Sequence, residues 1–207
     1  DDAPMIANEI DFTSILPRGD KIFMVTHFET TPAAIYVSEV LQDEVTGLLT
    51  PIDTMPVDFA DYGGVLEVCA GVTTPWSSHL GSEEWDPDAK YYDPATGTID
   101  DEDYDEAMFT YFGPDATLTD LSPYDYGWTP EVFVDDEGNA TGIKHYALGR
   151  FAHELAYVMP DERTVYMTDD ETNGAIFLFI ADEAADLSAG TLYAAKWSQT
   201  DDAGVGS

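Results

Sequence analysis

The sequence predicts an all-β protein, a sandwich or a propeller, and three observations predict it. Short β-branched and aromatic runs recur along the chain, turn residues separate them at hairpin spacing, and helical periodicity is weak. KIFMVTHFE (21–29) and AAIYVSEVLQ (33–42) are joined by Thr-Thr-Pro, and DEVTG then turns the chain into LLTPI. GVLEV (64–68) is an apolar strand that leads into Cys69. TPEVFV (129–134), the turn DDEGNATG and IKHYALG form a hairpin. RTVYMT (163–168), the turn DDETNG and AIFLFIAD form another, followed by the strand TLYAAKW (191–197). The best helical candidate is a short turn near Glu106 to Phe112. The hairpins differ too much in sequence to define a repeat of measured period, which blades that diverge freely do not require.

Residues 86–123 differ in character, being rich in Asp, Pro, Gly and Tyr, and read as a long acidic loop held to the body by its tyrosines. Its densest run, IDDEDYDE, lacks the alternating oxygens, central glycine and terminal glutamate of an EF-hand. The polar, small-residue tail (198–207) is expected to fray.

The 207 residues include 42 acids against 7 lysines and arginines, a formal charge of −35, yet 44% are apolar. That apolar share supports a folded core. The charge excludes unaided binding to nucleic acid or anionic membrane, because too few cations are present to replace counterions. It fits a salty habitat, abundant divalent cations, or solubility kept by repulsion. Most of the carboxylates read as a solvated surface. No run of eighteen apolar residues exists. The start DDAPMIANEIDF, with neither Met nor a basic-then-apolar leader, reads as a mature secreted or periplasmic form.

Three segments carry side chains suited to chemistry. In CAGVTTPWSSHLGSEE (69–84) the lone cysteine, Cys69, cannot form an internal disulfide. It is a buried filler, an intermolecular partner or a metal ligand. A thiolate suits iron, zinc or copper, whereas paired carboxylates such as Glu83 and Glu84 suit calcium. In GRFAHE, strand alternation sends Arg150 and Glu154 to one face and His153 to the other. Arginine is scarce (Arg18, Arg150, Arg163), so Arg150 is a candidate to grip an oxyanion, with a salt bridge to a nearby carboxylate as the competing role. Thr168-Asp169-Asp170-Glu171 marks a hairpin tip, where a plain turn is the commoner meaning. No GxSxG elbow, P-loop or HExxH occurs, and the four histidines lack zinc-ligand spacing.

In order along the chain, THFETTPAAIYVSEVLQDEVTGLLTPI, CAGVTTPWSSHLGSEEW, YDYGWTPEV, HYALGRFAHELAYVMPDERTVYMTDDE and DLSAGTLYAAKW resemble the PhoX-type alkaline phosphatases. The resemblance runs from about Phe12 to Trp197 and rests most on CAG-x-x-TPW-x-x-x-L-x-x-EE and GRF-x-HE. It implies a β-propeller, here partial, with several four-stranded blades, and an iron–calcium cofactor in the central pocket that hydrolyses phosphate monoesters. It implies Cys69 as the iron ligand, Glu83 or Glu84 with Glu131 and Glu154 as bridging or calcium-binding carboxylates, Glu29 and Asp170 as further candidates, and Arg150 as the phosphate clamp. Family members are longer, so the resemblance also implies that further blades and ligands complete the propeller. These would come from a C-terminal half, from a second chain, or from a homo-oligomer paired through exposed strand edges. Two readings follow: a metal-dependent phosphomonoesterase or the N-terminal portion of one, and a non-catalytic extracellular module for calcium binding or assembly. A different esterase or lactonase on a calcium propeller is a third.

Overall fold

The computed structural model describes residues 9–93 and 120–198, together with 95, 96, 108, 111–113, 115 and 117. Three four-stranded antiparallel sheets account for the named strands. The first holds β1 (Ile10–Arg18), β2 (Lys21–Phe28), β3 (Ala34–Gln42) and β4 (Leu49–Pro56), in that order. The second holds β5 (Val72–Thr73), β6 (His79–Leu80), β7 (Thr129–Val134) and β8 (Ala140–His145). The third holds β9 (His153–Val158), β10 (Thr164–Asp169), β11 (Ile176–Glu183) and β12 (Asp186–Ala194), again as a meander.

Period-two burial is clearest on β2 and β3 of the first sheet and β10 of the third. On β2, Phe23, Val25 and His27 point into the core, and the residues between them are half-buried. One apolar cluster joins Leu16, Val25, Ile35 and Val37 of the first sheet to Val132 and Val134 of the second. Another joins Leu80 of the second sheet to Ala156, Val165, Met167 and Phe179 of the third. The second sheet therefore lies between the other two. The opening strands β1, β5 and β9 contact one another in that order. Sheets packed face to face around their first strands are propeller-like blades, here three in an open arc.

Two local expectations change. Residues 64–68 form no strand; Val68 makes only an isolated bridge to Glu83, while Leu66 is buried beside Met108, Leu121 and Tyr126. The segment is held instead by cross-blade bonds, Ala33 N–H to Val65 O at 3.0 Å and Glu67 N–H to Thr30 O at 3.1 Å. In GRFAHE the strand begins only at His153, so alternation never links Arg150 to Glu154. β1 has little apolar signal because polar Asp11, Thr13 and Ser14 interleave its apolar residues, and pairing with β2 along its length makes it a strand. Of the turn at 106–112, Met108, Tyr111 and Phe112 are helical and the rest lies outside the described residues, as do IDDEDYDE and the tail beyond 198.

Candidate metal centre

Where the first strands meet, acids from separate segments converge on one sulfur. Asp11 is the second residue of β1, Glu29 follows β2, and Cys69 precedes β5. Glu154 is the second residue of β9, and Asp170 follows β10. Backbone bonds pin most of these positions. Glu29 N–H reaches Glu9 O at 2.9 Å, Cys69 N–H reaches Ser82 O at 2.8 Å, Glu84 N–H reaches Glu67 O at 2.9 Å, and Asp170 N–H reaches Ala152 O at 3.0 Å. Cys69 Sγ lies 3.4 Å from Asp11 Oδ2 and 3.7 Å from Glu154 Oε2. Two triads share this sulfur, Asp11–Glu29–Cys69 and Cys69–Glu84–Glu154, each with its ligand atoms within 4.8 Å of one another. Glu29, Glu67, Glu84, Trp85 and Asp170 line an open depression of about 500 Å³ beside them.

The electrostatics follow from crowding acids with few donors. Glu84 is raised to about 8, first because it shares a hydrogen bond with Glu29, then through desolvation and a further bond with Asp170. Burial pushes the Cys69 thiol up strongly, and Glu84 adds to the effect. In the free chain these groups keep protons that a bound cation would displace. A soft sulfur among hard carboxylate oxygens fits a mixed set of cations. Glu67 adds a backbone signature, φ +38°, left-handed for a side chain that ordinarily avoids that region. The sequence reading missed Asp11 and Glu67. No motif distinguishes Asp11 among 42 acids, and a backbone angle has no sequence signal at a glutamate.

The structure does not bring Glu83, Glu131 and Arg150 to this cluster. Glu83 is wholly buried, on the opposite side of the extended backbone from Glu84. It accepts from Lys144 Nζ at 2.7 Å, Leu66 N at 3.0 Å and Trp128 N at 3.0 Å. Burial pushes its carboxyl up and the Lys144 ammonium down, and each charge opposes the other's shift. Glu131 is equally buried and accepts from Trp76 Nε1 at 2.7 Å, from Ser78 Oγ, and bonds His145 Nε2 at 2.5 Å. Arg150 spends its guanidinium on the carbonyls of Pro87 (2.6 Å), Pro123 (2.7 Å) and Tyr126 (2.9 Å), with Asp86 at 3.5 Å. Gly127 makes room for that staple; a Cβ there would lie 2.4 Å from Asp86 Cβ. The competing role foreseen for Arg150, a salt bridge to a nearby carboxylate, is present only as the longest of these contacts, to Asp86. Glu29, Cys69, Glu84, Glu154 and Asp170 are the predicted residues that do meet.

Three four-stranded blades, with a thiol and carboxylates gathered where their first strands touch, define a partial β-propeller with a candidate metal centre. The chain belongs to the alkaline phosphatase PhoX family, whose model matches residues 31–206. It is similar to the solved structure of Pseudomonas fluorescens PhoX in complex with vanadate, a transition state analogue, with a TM-score of 0.65 and 18% identity. The match covers 95% of this chain and 47% of that one, so the chain spans about half the length of that protein. At that identity the likeness establishes the fold alone. The curated proteins contain no match.

Proposed function

We propose that this chain supplies a cation-holding portion of a metal-dependent phosphomonoesterase of the alkaline-phosphatase type. Iron would sit on the Cys69 thiolate, and calcium among Asp11, Glu29, Glu84, Glu154 and Asp170. The observation that carries the reading is the pair of triads sharing the Cys69 sulfur, in a chain of the PhoX family.

When bound, the cations supply Lewis-acid polarisation of a phosphoryl oxygen and an activated oxygen nucleophile. The chain's residues do the rest. Cys69 gives up its proton to ligate, so loading releases protons and favours higher pH. The bond from Cys69 N–H to Ser82 O holds the sulfur's approach. Glu67 and Trp85 wall the depression on which an ester would rest. Arg150 contributes as a staple of the 87 and 123 segments.

Metal analysis for iron and calcium, with hydrolysis of p-nitrophenyl phosphate, tests the reading. The expected result is bound iron that Cys69→Ser abolishes while the far-UV circular dichroism is kept. A folded chain that takes up neither metal and stays inactive with both added overturns it. The same reading places the protein in the periplasm or outside the cell, which fractionation of the native host checks.

One observation favours a second reading, an assembly module. Apolar side chains on two outward faces stay at least partly exposed among the described residues: Tyr166, Ile176, Leu178 and Tyr193 on the third sheet with Trp197 just beyond it, and Ile10, Phe28 and Tyr36 on the first. In that reading copies of the chain pair through these blades. Sedimentation as a stable dimer or larger species, with no metal bound, would favour it over the enzyme.

A further inference from the structure

Two buried histidines lie outside every role described so far. His27 and His79 are both fully buried between the first and second sheets. Their rings meet edge to face, with centroids 5.1 Å apart, and Phe12 stacks on His79 at 5.6 Å. An apolar pair would fill this space without the cost of burying four ring nitrogens, so the hydrogen bonds must account for the choice.

Those bonds leave one self-consistent arrangement of protons. The Phe12 amide can only donate, and it points at His27 Nε2 at 3.2 Å, so Nε2 carries the lone pair. The proton of neutral His27 is then on Nδ1, which lies 3.0 Å from His79 Nε2. His79 in turn is protonated on Nδ1 and donates to Ser14 Oγ at 3.0 Å. Buried Ser14 also accepts from Thr73 Oγ1 at 2.9 Å. A cationic His27 would set an Nε2–H against the Phe12 N–H, so the bonds themselves require a neutral ring, and burial keeps His79 well below the usual histidine value.

The Phe12 end of the chain of bonds adjoins the candidate centre. Phe12 follows Asp11, whose Oδ2 is 3.4 Å from Cys69 Sγ. Gly71, two residues after Cys69, lies so close that a Cβ would meet Phe12 Cδ1 at 2.7 Å and His27 Cε1 at 3.2 Å. We propose that His27 and His79 are positioning residues, a tautomer-locked pair running from Ser14 to the Phe12 amide that holds Asp11 against Cys69. The inference rests on the metal reading above for its functional meaning, and on the hydrogen bonds alone for the lock.

Two measurements test it on the full chain. Nitrogen-15 NMR of the metal-free protein at pH 7 should show both rings neutral and protonated on Nδ1; protonation on Nε2, or a cationic ring, overturns the lock. Cobalt(II), followed by its thiolate charge-transfer absorption, reports the centre. His27→Leu should weaken cobalt binding roughly 10–100-fold, as loss of an outer partner does. His27→Gln, whose amide oxygen can still accept from Phe12, should stay within a few-fold of the unaltered chain. Equal affinity in His27→Leu, or equal loss in both variants, overturns the positioning role. If His27→Leu does not fold, the tautomers in the unaltered chain still decide. If the unaltered chain binds no cobalt, the metal reading has failed. Exchange of the Phe12 amide then judges the hold on Asp11 separately: it should be slow in the unaltered chain and fast in His27→Leu, and equal rates overturn the proposal.

Discussion

Glu83 and Glu84 are consecutive in the chain, yet one helps build a blade and the other faces its neighbours with little to balance its charge. Glu83 has a lysine and two backbone amides on its oxygens and no exposure. Glu84 has Glu29, Asp170 and Cys69 around it, all acids or a thiol. The period of two along extended backbone sends the pair to opposite sides, one toward Lys144 and the other toward the depression. A buried carboxylate whose oxygens all receive donors is a strut of the fold. Carboxylates that crowd one another with few donors call for something cationic from outside. Glu131 belongs with the first kind; Asp11, Glu29, Glu154 and Asp170 belong with the second.

The sharpest break of this contrast is Glu83→Ala. It strands the Lys144 ammonium in the core and should cost about 3–5 kcal/mol in urea unfolding, with metal affinity per folded molecule unchanged. Arg150→Met comes next: carbonyls of Pro87, Pro123 and Tyr126 lose a shared cation, for a loss of about 1.5–3 kcal/mol. A metal-loaded chain that loses phosphate binding but no stability in this variant would return Arg150 to the role of clamp. At pH 4.5 or below, where Glu84 in the folded chain is protonated as Gln is neutral, Glu84→Gln should change the stability of the metal-free chain by less than about 0.5 kcal/mol, while calorimetry near neutral pH shows calcium binding weakened by more than tenfold.

The smallest effect is a pH dependence. Glu84 is raised from 4.5 to about 8, so between those values the folded chain holds a proton that the unfolded chain has released. Its contribution to stability is therefore complete below about 4.5 and is lost as pH rises through about 8. Melting temperatures of the metal-free protein should fall across that window. The fall should vanish in Glu84→Gln and shrink with saturating calcium. A rise with pH in the unaltered chain would mean that the crowding of Glu84 is relieved in solution.

Much of the fold is legible because hairpin runs such as RTVYMT and AIFLFIAD combine β-branched residues, period-two alternation and turn chemistry, all local signals. The short strands β5 and β6 are not, since two residues carry no period, and only pairing with β7 and β8 makes them strands. At the centre, Cys69 and the motif acids stood out by type, while Asp11 and Glu67 did not. A carboxylate's function depends on which donors surround it, and those donors come from distant segments.

By itself the sequence determined the class of secondary structure, the acidic character, the family and the uniqueness of the thiol, because these depend on composition and short-range pattern. Tertiary structure alone decided which acids meet that sulfur. A single residue's difference in register, as between Glu83 and Glu84, moves a side chain to the opposite face of its segment, and what waits on each face is assembled from residues far away in the chain.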